Sequence, residues 1–228
     1  MKNRSRWIES IHLLLCVGMV VAAAIAWPLA PDRIPVHWNL QGEVDRYGGR
    51  FEGILLLPLV TLGLYVMLLL LPRLDPGRAN YASFRSVYAM IRLSLSAIMG
   101  WIYALMLMAA FGRPIDMSFV LPLAVGLLFI VLGNVMGKLR PTWFVGVRTP
   151  WTLSSRVSWN RTHRLAGPLM IGFGLTIMAY AFNQSHWMLC LMIGIGLLAV
   201  LLPIVYSWLI WRSDEERIPP AGVTPVSE

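Results

Sequence analysis

The chain has 228 residues, 57% of them hydrophobic and only 13% charged, against the about 25% charged that is usual in a soluble globular domain, so a soluble fold is excluded. Its net charge of +8 does not point to nucleic acid, because the cations lie between long apolar runs and form no basic face of a soluble domain. Cys16 and Cys190 fall inside apolar runs, with neither CxxC nor metal-ligand spacing.

Six apolar runs are long enough, at about 20 residues, to cross about 30 Å of hydrocarbon. They lie near Ile8–Pro28, Gly53–Leu71, Val87–Ala110, Phe119–Met136, Ala166–Phe182 and Trp187–Trp211. The first follows a positive start, as a signal peptide does. Its core from Ile11 to Trp27 is nevertheless closer to a spanning helix, and no small-residue cleavage site precedes the Pro-rich Trp27–Pro35 stretch. It is read as an uncleaved span. A barrel would show short alternating segments, so the spans are helices. Pro58 and Pro203 fall inside the second and sixth runs, where a local kink is expected. Gly167, Gly172 and Gly174 in the fifth suit close helix contact.

Six spans put both termini on one face. Fifteen Lys/Arg fall on that face and only Arg33, Arg46, Arg50 and Arg113 on the other. The positive-inside rule therefore predicts cytoplasmic termini. The expected fold is an all-α polytopic membrane protein with six transmembrane helices, its membrane domain spanning 1–211. A polar tail, 212–228, reads as disordered.

Two loops stand out. The outer one, 28–53, carries Pro28, Pro31 and Pro35 and Gly42, Gly48 and Gly49, which favour a structured, non-helical cap. Its candidate binding residues are His37, Trp38, Asn39, Glu43, Asp45 and Tyr47. His37, Glu43 and Asp45 are three unlike ligands without recurrent spacing, so no metal is assigned. The plainer expectation is a solvated loop whose carboxylates pair with Arg33, Arg46 and Arg50.

The inner loop, 133–167, holds six Lys/Arg and no acid. Such a loop suits the anionic inner leaflet, with its tryptophans at the headgroups. Pro141 and Pro150 flank an amphiphilic segment expected to be extended or a short hairpin. Thr152 and the serines after it offer N-caps for a short helix, Arg156 to His163. Candidate binding residues are Lys138, Arg140, Trp143, Arg148, Trp151, Arg156, Trp159, His163 and Arg164. Arginine predominates, which favours bidentate contacts with phosphate or carboxylate.

Catalysis is not expected. Lys138, Arg148, Ser155-Arg156 and His163 imitate fragments of a membrane lipid phosphatase, but the spacing to His163 is one residue too long and no acid follows to orient it. Glu9, His12 and Arg92 are the ionisable residues near spans. None falls near a midpoint, which argues against an ion-coupled transporter.

The outer loop resembles the IPxHWN…GEVDRYG pattern of the SdpI family of bacterial membrane proteins. Ile34, Pro35, His37, Trp38, Asn39, Gly42, Glu43, Asp45, Tyr47 and Gly48 carry the likeness. The inner loop is similar to that family's GNxMGKLRPxWFVGVRTPWTLSS…W…THRxAG pattern from Gly133 to Gly167. The resemblance implies a bacterial inner-membrane protein with an immunity or signalling role, resisting a secreted peptide toxin outside and sequestering a cytoplasmic transcriptional repressor at the membrane. It implies binding rather than catalysis, with no cofactor. The alternatives are a small-solute or lipid transporter and, third, a phosphatase-like enzyme.

Overall fold

A computed structural model describes residues 2–217. It contains six helices long and apolar enough to span a bilayer, and the chain is a multi-pass, all-α membrane protein. The first, α1 (Lys2–Ala26), rises about 37 Å at 1.5 Å per residue, more than the hydrocarbon thickness. A 3-10 turn at Trp27–Leu29 ends it, where Pro28 withdraws a backbone donor.

The chain then forms an antiparallel hairpin, β1 (Ile34–Trp38) and β2 (Val44–Gly48). Pro35 faces Tyr47, His37 faces Arg46 and Trp38 faces Val44, with register breaks on either side of His37. The turn is built by Asn39, whose Oδ1 accepts from the backbone of Gln41 (3.0 Å) and Glu43 (2.9 Å). Gly42 takes φ +79° there, a conformation that favours glycine. The non-helical cap expected for the outer loop is thus a two-stranded sheet. Ile34 anchors it, fully buried with Ile54 among Met19, Ala23, Ala26, Ala30, Tyr103 and Ala110.

A π-turn, Phe51–Leu55, leads into α2 (Leu56–Leu74). Pro58 therefore sits in the first turn of α2 rather than in its middle. A 3-10 segment, Arg78–Phe84, precedes α3 (Arg85–Ala110). Asp116 caps α4 (Met117–Met136) by accepting from Phe119 N. After a turn-rich loop come α5 (Pro150–Ser154), α6 (Arg156–Phe182) and α7 (His186–Arg212).

The inner loop differs from its expected local structure. Thr149, not Thr152, caps α5, with Thr152 completing a reciprocal capping box. Ser155 caps α6 by accepting from Ser158 N. No strand forms between Pro141 and Pro150. The short helix at Arg156–His163 and the span at Ala166–Phe182 are one continuous helix that starts at the Ser155 cap and runs through Gly167 and Pro168. At about 40 Å, α6 exceeds the hydrocarbon thickness.

The six long helices form two groups, α1–α3 and α4 with α6 and α7, meeting along α3 and α4. Within the second group glycines face each other across α4 and α6. A Cβ on Gly133 would stand 2.6 Å from Gly167 O, and one on Gly126 2.6 Å from Gly174 O. Lipid gives no hydrophobic drive for helix association, so this backbone proximity supplies the packing. Gly172, in contrast, faces open space. Of the tail expected to be disordered, Asp214–Arg217 are bonded to the bundle (Ser155 to Asp214, Arg217 to Trp211 O), and residues 218–228 lie outside the described residues.

Candidate functional site

Both motif-bearing loops and one cluster within the spans gather the polar groups. The inner-motif loop closes around Trp159 and His163, which are 0% and 1% exposed and stacked with ring centroids 4.1 Å apart. Trp159 Nε1 donates to Leu139 O (3.1 Å). His163 Nδ1 donates to Trp159 O (2.8 Å), and His163 Nε2 accepts from Val147 N (2.9 Å). Accepting at Nε2 requires the neutral ring with its proton on Nδ1. Gly146 passes so close, at φ +114°, that a Cβ would collide with Nε2. With both nitrogens engaged, His163 has none free for nucleophilic attack.

A second anchor is Asp75, 2% exposed at the end of α2. Its carboxylate accepts from Gly77 N (2.6 Å), Tyr81 OH (2.7 Å) and, with both oxygens, Trp143 N (3.2 Å). A carboxylate can be buried in this way because every contact is a donor. Tyr81, Phe84 and Tyr88 pack with Leu139 and Trp159 around it. The 3-10 segment and the inner-motif loop are thereby one unit. Thr149 Oγ1 and Ser158 Oγ tie that unit to Ser207 of α7.

The remaining inner residues lie outward. Arg148 is exposed and donates through Nη1 to Trp143 O (3.0 Å), a single bond rather than a bidentate one. Trp143 is 54% exposed, Trp151 is half-buried and Lys138 is exposed. Arg140, Arg156 and Arg164 line a cavity of about 1000 Å³ beside α5 and α6.

On the opposite face the hairpin carries exposed charge pairs. His37 Nδ1 lies 2.6 Å from Asp45 Oδ1, and Asn39 Nδ2 donates to Glu43 Oε2 (3.1 Å). Arg46 pairs with Glu52, Arg50 with Asp32 (3.1 Å), and Arg33 lies over the Tyr47 ring. Of the expected pairings between the loop's carboxylates and Arg33, Arg46 and Arg50, those of Arg46 and Arg50 form, with Glu52 and Asp32. Among the described residues no three His, Cys, Asp or Glu converge as a metal set. Trp38 is half-buried and Tyr47 is 50% exposed.

The third cluster joins α1, α2 and α3. Arg92 grips Glu9 with both terminal nitrogens (2.6 and 3.4 Å), and Tyr65 OH donates to Glu9 Oε1 (2.8 Å). His12 Nε2 lies 2.6 Å from Ser96 Oγ, with its ring edge-on to Tyr65. His12 Nδ1 is buried without a hydrogen-bond partner. Glu9, His12 and Arg92 were visible in the sequence as isolated ionisable residues, and the structure brings them together. Tyr65, Ser96 and Asp75 were missed. A polar residue inside or ending an apolar run was the available signal.

Residues 138–207 match the SdpI/YfhL protein family, and residues 14–62 match a domain of unknown function (DUF1648). The chain is 23% identical over 199 residues to Immunity protein SdpI of Bacillus subtilis (strain 168), covering 86% of this chain and 91% of that protein. No solved structure matches it. The family match takes in most of the inner-motif loop, α5, α6 and most of α7, while the second match takes in the hairpin. The Glu9–Arg92 cluster and Asp75 lie outside both.

Proposed function

We propose that this chain is a bacterial inner-membrane immunity protein that protects its producer from a secreted peptide toxin. Its likeness to Immunity protein SdpI along 86% of its length carries this reading. The hairpin supports it chemically. Exposed His37, Asp45, Glu43 and Tyr47 present mixed charge and an aromatic face to an amphipathic peptide, on a sheet held rigidly by buried Ile34. Both termini and the inner-motif loop face the cytoplasm, with fifteen cations against four. There the surface from Arg148 through Trp151 to Arg156 offers a cytoplasmic repressor a docking site, braced from beneath by Trp159 and His163.

Two measurements test this together. Expression in a toxin-sensitive bacterium should raise survival, and in a cysteine-free background a cysteine at Leu40 should react with an impermeant maleimide in intact cells. One at Lys138 should react only after the membrane is opened. Unchanged survival with normal membrane abundance would defeat the immunity role, and inverted labelling would defeat the orientation.

A second reading, a small-solute transporter, is favoured by the cluster of Glu9, His12, Tyr65, Arg92 and Ser96, because ionisable groups within spans are costly and usually functional. Ligand-dependent flux in liposomes would establish it, and protection without flux would remove it.

A further inference from the structure

The cavity beside α5 and α6 is lined by side chains of both charges. Arg140 enters from the loop after α4, and Arg156 and Arg164 come from α6, about two turns apart. Asp214 and Glu216, just past α7, line the same cavity, Asp214 held beside the start of α6 by Ser155. Among the described residues no carboxylate lies within 4.0 Å of any of the three arginines. Ser155 Oγ instead holds Asp214 in place, and Arg217 folds back over the Trp211 ring, so the acidic segment is fixed. Cations and carboxylates therefore line one cavity without pairing with each other.

The cationic groups suit phosphate. Three guanidiniums with Asn80 and Asn160 offer more donors than the two oxygens of a carboxylate can use. The acidic groups exclude a plain polyanion, which Asp214 and Glu216 would repel. They suit an ammonium, whose hydrogens a carboxylate accepts.

We propose that this cavity binds a small zwitterion in which a phosphate and a primary ammonium are joined by a short spacer, as in phosphoethanolamine. Arg140, Arg156 and Arg164 take the phosphate, and Asp214 and Glu216 take the ammonium. The cavity, about 1000 Å³, accommodates such a headgroup with its glycerol, and ligand pockets commonly measure about 300–1,000 Å³. The group has two sources, a phosphatidylethanolamine lipid or the free soluble zwitterion. Binding here does not depend on the immunity role.

The test uses the full chain purified in detergent. Native mass spectrometry would compare retention of phosphatidylethanolamine, phosphatidylcholine and phosphatidylglycerol, and free O-phosphoethanolamine would be titrated calorimetrically. Each lost charged hydrogen bond is worth about tenfold in affinity. Phosphatidylethanolamine should therefore be retained at least about tenfold over phosphatidylcholine, whose quaternary head donates no hydrogen bond. The double variant Arg156→Gln/Arg164→Gln should lose the phosphate-dependent binding. Asp214→Asn/Glu216→Gln should keep phosphate binding but lose the preference over phosphatidylcholine. All four positions are on the cavity rim, and an unchanged melting temperature would verify folding. Competition by the free zwitterion would assign a soluble source, and binding of the lipid alone a membrane source. Equal retention of all three lipids, a preference for phosphatidylglycerol, or indifference to both double variants would overturn the proposal.

Discussion

The hairpin and the inner-motif loop are both short, proline-bounded and motif-rich, yet they are built on opposite principles. The hairpin keeps its charges outside. His37 with Asp45, Glu43 with Asn39 and Arg46 with Glu52 pair along an exposed surface, and apolar Ile34, with half-buried Val36 beside it, does the anchoring. The inner-motif loop keeps its cations outside but closes over an interior where Asp75 at the end of α2, His163, Thr149, Thr152 and Ser158 meet backbone donors and acceptors. Exposed pairs are worth about 0–1 kcal/mol, whereas leaving a buried polar group unsatisfied costs about 1–3 kcal/mol. Side chains on the hairpin are thus free to change with a binding partner, while those inside the loop are bound to the fold.

The sharpest break in that comparison is Trp159→Ala. A fully buried tryptophan truncated to alanine typically costs about 3–5 kcal/mol. Here the change also removes the His163 stacking partner and the donor to Leu139 O. Membrane abundance and the melting temperature in detergent should both fall sharply. Normal values for both would mean that Trp159 faces a partner rather than the interior.

Asp75→Asn is the next largest. The side chain keeps its shape but turns a donor toward Gly77 N, Tyr81 OH and Trp143 N, all of which are donors. One of them is left unsatisfied at a cost of about 1–3 kcal/mol. Limited proteolysis should then cut near Pro141–Thr149 sooner than in the wild type, while the hairpin stays resistant. Equal resistance at both places would show that the carboxylate does not hold the loop.

The Glu9–Arg92 pair lies between the two regions in exposure and extends the contrast into the spans. Arg92 is 8% exposed at its side chain and Glu9 34%, so the pair is only partly shielded. Arg92→Gln alone leaves a carboxylate without its cation, and a loss of about 1–3 kcal/mol is expected, less than for a fully buried pair. Glu9→Gln/Arg92→Gln should recover most of that loss, giving a coupling energy of about 1 kcal/mol or more in a double-mutant cycle. Strict additivity would sever the pair.

These contrasts explain what could be read in advance. Six spans were legible because each is a long apolar run, and the hairpin's cap-like character was legible in its prolines and glycines. The inner loop's chemistry was only half legible. Composition marks Trp159 and His163 as unusual but does not tell a stacked interior pair from a docking surface. That distinction depends on Val147 and Leu139 reaching them across the fold. Asp75 was missed because a lone acid after an apolar run gives no sign of three donors that arrive from as far away as Trp143. Ser155, one of the N-caps offered by the Thr152–Ser155 stretch, starts the helix, and its merger into one element, Arg156–Phe182, was not legible because Gly167 and Pro168 read as breakers.

The smallest effect on stability is expected at the hairpin, where Glu43→Ala/Asp45→Ala separates recognition from folding. Glu43 makes one exposed bond to Asn39, and Asp45 pairs with His37 at side-chain exposures of 43% and 61%. Asn39 holds the turn through its own Oδ1 and the Glu43 backbone, which the substitutions leave in place. The melting temperature should therefore move by no more than about 1 kcal/mol allows, and membrane abundance should not change. If the hairpin meets a cationic, amphipathic peptide, the loss should appear in protection instead, as a slower encounter that grows less evident as salt rises. Survival curves at two ionic strengths, normalised to membrane abundance, distinguish the outcomes. Protection that is unchanged at low salt would show that the hairpin's carboxylates take no part in recognition. Protection that falls together with abundance would show that the hairpin, like the inner loop, depends on its polar pairs to fold.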